Sequence, residues 1–317
     1  MVNGYTPKTL QEALEIRARE HVIPYAGGTD IMVQQKNNAP YLFLNKLDEL
    51  GEIKDDGEYV RIGAAVTFTQ AIENTLTPLL MKEAVSRIAA PAIRNAGTFG
   101  GNLGNSSDKA DSVLAEFAVD ACVRLVSEKG ERVIPVEEFF IKRGENTLRD
   151  DELIAEILLP KDKCEKPYYY KKVGGRNALA ISRIALAGVY EVKDGVVTDF
   201  SAAVIGGAAK FQRFKEIEET IIGKPVDEIK KNLDEYVKMY AEKLVFTRGR
   251  VSAEYRRTVS TFLPCSLDRD TTHALVFLPS TNTVQVPHTP SEQPSFAAVR
   301  CRSSLRKRNS FLSWADS

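Results

Sequence analysis

Two glycine pairs place the strongest constraint on how this chain folds. The first lies in Ala26-Gly27-Gly28-Thr29-Asp30, and the second lies in Gly97-Thr98-Phe99-Gly100-Gly101-Asn102. Because glycine has no side chain, a glycine pair lets the backbone approach a ligand closely and expose its N–H groups. Two such turns in one domain predict a cradle for a large anionic group, such as a pyrophosphate.

The residues around the first pair predict a βαβ unit. Val22 to Ala26 has the pattern of a short strand, and Tyr41 to Leu44 has the pattern of a second one. Between them, Thr29 or Asp30 can cap a helix that runs to about Lys36. Such units are usually parallel and right-handed. The first turn would then precede a helix N-terminus, where N–H groups and the helix dipole favour anions.

Further along the chain, helices and strands follow in a mixed order, which predicts an α+β fold rather than a doubly wound one. Apolar residues at helical spacing predict a helix from Leu79 to about Ala90. Asp194-Gly195, between two apolar runs, predicts a hairpin. Two helices are predicted after the hairpin, over 211–222 and 226–244.

Charge balance and the rarity of histidine exclude several classes of protein. The 317 residues carry 43 basic and 43 acidic side chains, with a pI near 6.9, so no nucleic-acid partner is predicted. No apolar run approaches the ~20 residues that span a bilayer, and the N-terminus has no export signal. Only His21 precedes the C-terminal segment, which argues against a histidine triad or a multi-histidine metal site. If the chain is an enzyme, we expect a bound cofactor to supply its chemistry.

The cysteines and the C-terminal segment give further expectations. The four cysteines are far apart and form no C-x-x-C pair: Cys122, Cys164, Cys265 and Cys301. This spacing argues against an iron–sulfur or zinc site made by this chain alone and favours a reducing, cytoplasmic location. From about Pro264 the chain is rich in proline, serine and threonine and contains no glycine, which predicts a disordered tail. A frame error or a fusion scar is the alternative origin of this segment.

Each motif alone also fits an ordinary role. A Gly-Gly-Thr-Asp string often forms a plain turn with an aspartate cap. Asn105, Ser106, Asp108 and Asp111 follow the second pair, and the two aspartates could bind a metal, although a solvated loop or helix cap is the favoured interpretation. No G-x-G-x-x-G opens a helix after a strand, which argues against a Rossmann nucleotide site.

Taken in order, the motifs are more specific, and the sequence resembles the FAD-binding subunits of molybdenum hydroxylases. These are the medium chains of xanthine dehydrogenase-like, nicotinate dehydrogenase-like and carbon monoxide dehydrogenase-like enzymes. The resemblance covers about residues 3–260 and rests on four strings: Ala26–Asp30, Ile93–Leu103, Tyr170–Val173 with Ala178–Ser182, and Ser252–Arg257.

The resemblance implies a PCMH-type fold that binds FAD. Its parts would be an N-terminal α/β lobe (1–55), a middle lobe (56–160) that clasps FAD with the first, a C-terminal lobe of a small antiparallel sheet and helices (161–262), and an atypical tail (263–317). The implied cofactor-binding residues are Ile23, Pro24, Tyr25, Ala26, Gly27, Gly28, Thr29, Asp30, Thr98, Phe99, Gly100, Gly101, Asn102, Asp111, Ile154 and Lys171. No catalytic side chain and no metal ligand is implied.

Two aromatic residues are candidates to pack against the isoalloxazine ring of FAD. Phe99 stands where the family often has isoleucine or leucine against this ring, and Tyr170 is the second candidate. For Tyr170, ordinary core packing within a tyrosine-rich strand is an equally good interpretation.

The implied function is electron transfer within an oxidoreductase. In the family, a molybdopterin-binding large subunit hydroxylates the substrate, and a [2Fe-2S] small subunit passes the electrons to FAD on this chain. They then reach NAD+ or another acceptor. Two alternatives stay open: a free-standing flavin oxidoreductase, and a structural subunit that has lost FAD.

Overall fold

The structure is a computed structural model that describes residues 4–34, 38–176, 179–247, 252–254, 256 and 260. The chain divides into two units, Met1–Asn282 and Thr283–Ser317, and every described residue belongs to the first. The predicted tail from Pro264 lies outside the described residues, as do Ala178, Tyr255 and Arg257 of the strings quoted above.

A small parallel sheet is formed by the N-terminal part of the chain. Its elements are β1 (Gly4–Tyr5), α1 (Leu10–Arg19), β2 (Ile23–Tyr25) and β3 (Tyr41–Phe43). The strand order is β1-β3-β2. Both strand pairs are parallel, so the predicted parallel connection from the second to the third strand is confirmed. Thr9 caps α1, because its hydroxyl oxygen accepts the N–H of Glu12 at 3.2 Å.

The helix predicted between β2 and β3 is wrong. The described part of this segment forms turns, in which the Met32 N–H donates to the Gly28 carbonyl at 3.1 Å. Met32 and Val33 have exposed fractions of 50% and 78%. A short helix gains most of its stability from an apolar face packed against the protein. These side chains provide no such face, so nothing holds the segment in a helix.

An antiparallel five-stranded sheet follows, in the order β4-β5-β10-β6-β7. Its strands and a neighbouring two-stranded hairpin are β4 (Ile53–Asp55), β5 (Tyr59–Gly63), β6 (Cys122–Ser127), β7 (Gly130–Pro135), β8 (Phe140–Lys142), β9 (Glu145–Asn146) and β10 (Leu153–Pro160). The associated helices are a 3-10 helix (Asp48–Leu50), α2 (Phe68–Glu73), α3 (Leu79–Ser86), α4 (Pro91–Arg94), α5 (Phe99–Gly104), α6 (Asp111–Ala118) and α7 (Val136–Phe139). The central strand β10 is buried along most of its length, as its apolar sequence requires.

The third helix of the chain ends earlier than predicted. It stops at Ser86 rather than near Ala90, and Ala89 has a φ of 40°, in the left-handed region. The guanidinium of Arg94 donates to the carbonyls of Ile88 and Ala89, at 2.8 and 2.9 Å. These bonds satisfy the carbonyls that the early end releases, so the segment turns sharply before α4.

A second antiparallel sheet, of four strands in the order β11-β12-β13-β14, lies in the C-terminal part. Its elements are α8 (Lys161–Cys164), β11 (Tyr168–Val173), β12 (Ile184–Lys193), β13 (Val196–Ile205), β14 (Gln212–Arg213), α9 (Lys215–Ile221), α10 (Val226–Lys231) and α11 (Leu233–Lys243). The predicted hairpin is confirmed, with Asp194 and Gly195 at φ 51° and 76°. The two predicted helices are shorter: β14 takes the start of the first, and Asn232 interrupts the second.

Helix α6 connects the sheets through a shared core. All eight of its residues are buried. Its apolar side chains belong to one cluster with residues of the five-stranded and four-stranded sheets. The parallel sheet is attached separately, because Leu14 and Leu42 share a second cluster with Leu153 of β10. The fold is therefore α+β, as predicted.

A buried ion network fixes the C-terminal end of α6. The side chain of Arg213, which is 6% exposed, lies 2.6 Å from the carboxylate of Asp120 and 2.9 Å from that of Glu218. It also donates to the Phe117 carbonyl at 2.7 Å. Arginine suits this position because its fork of donors can satisfy several acceptors at once.

Within the described residues, no helix has the length and apolar character to cross a membrane.

Candidate functional site

The two glycine turns meet in the structure. A Cβ atom placed on Gly27 would lie 1.8 Å from the carbonyl oxygen of Ala96, directly before the second turn. Only glycine permits such a close approach of two backbones. Gln34 adds a second link, because its side-chain amide donates to Oδ1 of Asn105 at 3.1 Å. The predicted proximity of the two turns is therefore present, and Gly27 is required for it.

The first turn presents a run of backbone N–H groups without partners. Among the described residues, none of the N–H groups from Ala26 to Ile31 donates a hydrogen bond, although residues 26–29 are half-buried. Gly28 has a φ of 69°, and a Cβ there would lie 2.0 Å from the hydroxyl of Tyr25. Consecutive N–H groups around a left-handed residue form a concavity that binds anions. Half-buried donors of this kind normally have a partner, so the turn fits an anionic ligand group.

The second turn differs, and the predicted exposure of its N–H groups is wrong. Thr98 caps α5, and its hydroxyl accepts the Gly101 N–H at 3.0 Å. The N–H groups of Phe99 and Gly100 donate to the carbonyls of Val66 and Ala64, at 3.2 and 2.9 Å. A Cβ on Gly100 would lie 2.5 Å from that of Ala64. This glycine therefore serves backbone packing, and its N–H is already bound.

Neither aromatic candidate is available to a flavin ring. Phe99 is completely buried, with its ring 5.4 Å from that of Phe68 in an edge-to-face arrangement. The expectation that Phe99 packs against a ligand is wrong for this reason. Tyr170 is 5% exposed and lies in the main core, beneath the guanidinium of Arg87 at 5.8 Å. Of the two interpretations of Tyr170, the structure favours core packing.

Polar side chains at the start of α6 lie beside α5. The side-chain amide of Asn102 donates to the Ser112 hydroxyl at 2.9 Å. Asp111 accepts the Ser182 hydroxyl at 2.5 Å and pairs with the ammonium of Lys172 at 2.8 Å. Both side chains of this ion pair are 6% exposed. The negative charge of Asp111 is therefore compensated within the protein, which leaves the neighbouring surface able to accept an anion.

Lysine at position 172, rather than 171, binds Asp111. Adjacent residues of a strand project to opposite faces of the sheet. Lys172 shares the face of Tyr170, which packs into the main core, whereas Lys171 shares the face of Tyr169, which belongs to a separate cluster. Lys171 is half-buried, and within the described residues its ammonium has no ion pair. The structure thus separates Lys171 from Asp111.

The remaining predicted residues lie as follows. Ile154 is 8% exposed, and its Cδ1 would be 3.4 Å from a Cβ on Gly104, the last residue of α5. Asp108 and Asp111 both have cationic partners, since Arg143 lies 3.7 Å from Asp108. The described residues contain no group of three or more side chains that could hold a metal ion. These contacts favour the interpretation of the two aspartates as loop and helix residues.

Sequence reasoning missed several residues beside the turns. Gln34, Ser112 and Lys172 were not singled out as site residues, although each contacts a residue that was. The alternation of β11 contained a usable signal for Lys172, because Tyr170 and Lys172 occupy the same face. For Ser112 the contact crosses between α5 and α6, so no local pattern could have indicated it, whereas Gln34 lies four residues after its partner Asp30 in the same segment.

Comparison with known families gives the identity of this arrangement. A family described as "FAD binding domain in molybdopterin dehydrogenase" matches residues 1–162. A second, described as "CO dehydrogenase flavoprotein C-terminal domain", matches residues 168–265. Together they cover all of the sheets described above.

Individual proteins agree with these matches. The nicotinate dehydrogenase FAD-subunit of Eubacterium barkeri is 32% identical over 239 residues, which cover 70% of this chain and 80% of that protein. The xanthine dehydrogenase FAD-binding subunit of Escherichia coli O157:H7 is 33% identical over 213 residues, 64% of this chain and 72% of that protein. Carbon monoxide dehydrogenase from Hydrogenophaga pseudoflava, at 23% identity, superposes with a TM-score of 0.76 over 82% of this chain and 93% of that one, which shows a common fold. The chain therefore belongs to the FAD-binding subunits of the molybdenum hydroxylases, and FAD is its cofactor.

Proposed function

We propose that this chain holds FAD between its two glycine turns and passes electrons through it within a larger complex. The electrons would come from a [2Fe-2S] small subunit, after oxidation of a substrate on a molybdopterin-binding large subunit. They would leave to NAD+ or another acceptor. The observation that supports this proposal best is the run of unpartnered N–H groups from Ala26 to Ile31.

The first turn suits the FAD pyrophosphate on electrostatic grounds. Main-chain N–H groups bind phosphate oxygens through charge-assisted hydrogen bonds, so a cluster of basic side chains is not required. We assign residues Ile23 to Asp30 to this contact. On the other side, the proposed partners of the rest of the cofactor are Thr98, Gly100, Gly101, Asn102, Asp111, Ile154 and Lys171. When bound, FAD supplies the redox chemistry, and the protein positions and tunes it.

The same proposal includes the organisation of the complex. We assign FAD binding to the parts spanning 1–55 and 56–160. The third part, 161–262, would stabilise these two parts by packing against them. The similar proteins are named as subunits or medium chains, which supports an assembly with other chains. A cytoplasmic location is also proposed, since Cys122 and Cys164 are both free thiols.

The first experiment is to purify the full chain and record its visible spectrum. Flavin absorption at about one FAD per chain is expected, either directly or after incubation with FAD. A folded chain that stays colourless after loading would contradict FAD binding and favour a structural subunit. Copurification with iron–sulfur and molybdenum-containing chains supports the electron-transfer role. FAD-dependent activity of the chain alone would favour a free-standing flavin oxidoreductase.

The two adjacent lysines give a prediction that separates binding from stability. Lys171→Met is expected to weaken FAD binding by about tenfold, because a charge-assisted contact is lost. The same change should alter the free energy of unfolding by about 0.5 kcal/mol or less, as for other partly exposed positions. Lys172→Met should lower the free energy of unfolding by about 3 kcal/mol, because Asp111 would be left as a buried charge without its cation.

Both lysine variants are measured by urea unfolding without FAD and by titration with FAD. An unchanged FAD affinity in Lys171→Met would remove Lys171 from the proposed site. Equal stability of the two variants would contradict the assignment of the buried ion pair to Lys172.

A further inference from the structure

One buried carboxyl group in the structure has no evident structural partner. Glu116, in the middle of α6, is completely buried. Among the described residues, neither of its carboxyl oxygens has a hydrogen-bond partner. Burial raises the pKa of Glu116 to about 8, with a smaller opposing effect from the Ser112 hydroxyl, so the protonated form predominates at neutral pH. Since buried polar groups are nearly always hydrogen-bonded, this carboxyl requires an explanation.

The polar side chain that lowers the pKa of Glu116, against the effect of burial, is Ser112. It lies one helical turn earlier, on the same face of α6. Its hydroxyl is also completely buried and accepts the side-chain amide N–H of Asn102 at 2.9 Å. The hydroxyl keeps one hydrogen of its own to donate, and the buried carboxyl of Glu116, one turn further along the same face, is an acceptor available to it. The side chains of Glu116, Ser112 and Asn102 therefore form a line of three polar groups from the core to α5.

Asn102 is the outer end of this line. It is half-buried and belongs to the second glycine turn. Within the described residues its amide nitrogen is bound by Ser112, whereas its carbonyl oxygen Oδ1 has no hydrogen-bond partner. The N–H groups of Phe99, Gly100 and Gly101 are already bound internally. The side chain of Asn102 is thus the polar group through which this turn can contact a ligand.

We propose that Glu116 is a positioning residue that fixes the side-chain amide of Asn102 through Ser112, so that Oδ1 of Asn102 faces bound FAD. The inference rests on the proposed function, in which FAD lies against the two turns. The ligand group addressed is a hydrogen-bond donor of the cofactor, such as a ribityl hydroxyl.

The direction of the hydrogen bonds along this line follows from the donor and acceptor roles of its side chains. A serine hydroxyl has a single hydrogen, so Ser112 can accept from Asn102 while it donates to Glu116. Without the carboxyl, that hydrogen is free to bond Oδ1 of Asn102. The amide would then rotate by half a turn and present its NH₂ group to the ligand, where an acceptor is needed. Glu116 therefore selects which amide atom the site offers.

The test is a comparison of Glu116→Met and Glu116→Gln in the full chain. Methionine fills a similar volume without a polar atom, and removal of an unsatisfied buried group is expected to raise the unfolding temperature of the FAD-free protein. FAD should nevertheless bind about five to tenfold more weakly, which is the loss expected when the hydrogen bond from FAD to Oδ1 of Asn102 is removed. Glutamine keeps an acceptor oxygen, so its FAD dissociation constant should stay within about threefold of wild type.

Ser112→Ala provides an independent check, because it breaks the line at its middle. It should weaken FAD binding as much as Glu116→Met, and the double variant should be no weaker than either single one, as expected for residues that act as a unit. Opposite changes in stability and affinity in Glu116→Met support the positioning role, since a purely structural residue would not produce them.

Two outcomes would overturn the inference, and they are distinguishable. If Glu116→Met binds FAD as tightly as wild type, the positioning role is refuted while FAD binding stands. If the wild-type chain takes up no FAD, the proposed function fails, and the positioning role fails with it.

Discussion

Replacement of Gly27 with alanine is expected to abolish measurable FAD uptake and to lower the unfolding temperature of the protein. The added Cβ would lie 1.8 Å from the carbonyl oxygen of Ala96 and 2.5 Å from its carbonyl carbon. Both obstacles are backbone atoms, so no side-chain rotation can relieve the clash. The first turn must move away from the residues before α5, which separates the two halves of the proposed clasp.

The size of this effect follows from the rigidity of the contact. Overpacking in a well-packed region typically costs about 1 to 3 kcal/mol, and this contact is with backbone, so we expect a loss of about 3 kcal/mol in the free energy of unfolding. FAD affinity should fall by at least about a hundredfold, because the unpartnered N–H groups of the first turn would be displaced relative to the second turn.

Gly51→Ala is the matched control. A Cβ on Gly51 would meet no atom closer than 3.5 Å, and its φ of −99° suits any residue. This variant should keep wild-type FAD content and unfolding temperature. Flavin absorption and thermal unfolding of the two variants, measured side by side, check the prediction. If Gly27→Ala behaves like Gly51→Ala, then the two turns do not make the contact described here.

The second large effect is expected at Arg213, where replacement with methionine should lower the free energy of unfolding by about 3 to 5 kcal/mol. The guanidinium is buried and binds Asp120, Glu218 and the carbonyl of Phe117. Methionine fills much of the same space but leaves the Glu218 carboxylate, which is 4% exposed, without a cation. The cost is therefore that of an uncompensated buried charge rather than that of a lost surface pair.

Lys129→Met serves as the reference for an exposed ion pair. Lys129 lies 2.7 Å from Asp151, but its side chain is 81% exposed. Such pairs contribute about 0 to 1 kcal/mol, so its loss should change stability little. Urea unfolding of both variants gives the comparison. An Arg213→Met protein that is destabilised no more than Lys129→Met would show that the network around α6 does not stabilise the fold.

The elements that the sequence predicted well are those whose signals are local. The hairpin at Asp194-Gly195 needs two residues with positive φ, and the sequence supplies residues that adopt them easily. Strand β11 contains three tyrosines and a valine among its six residues, and aromatic and β-branched residues of this kind favour strands. In both cases neighbouring residues determine the conformation, so a single sequence suffices.

The failures arise where distant contacts decide. The helix predicted after Gly28 requires a partner surface for Met32 and Val33, and the fold places these residues in solvent. Phe99 was expected at a ligand, but packing on Phe68 places it in the core. These placements depend on which elements pack against each other in the fold, and a local sequence pattern does not specify those contacts.

In the candidate site, too, some features follow from local sequence and others from contacts between distant residues. The glycine motifs predicted that two turns would act together, and Gly27 does contact the second turn. The motifs could not show that the N–H groups of the second turn are bound to Val66 and Ala64, because those residues lie in a different element. In the proposed site the two turns would therefore contribute by different means, one through its backbone and the other through side chains.

The small size of the parallel sheet has a consequence for how the protein responds to its cofactor. Its strands contain two or three residues each, too few to be stable by themselves. This part should open locally at a lower free energy than the five-stranded sheet, and its amide hydrogens should exchange sooner. A cofactor held by the turn after β2 would bind only the closed form and so suppress that opening. On the proposed function, FAD would then be a structural component of the N-terminal part, as well as the group that carries electrons.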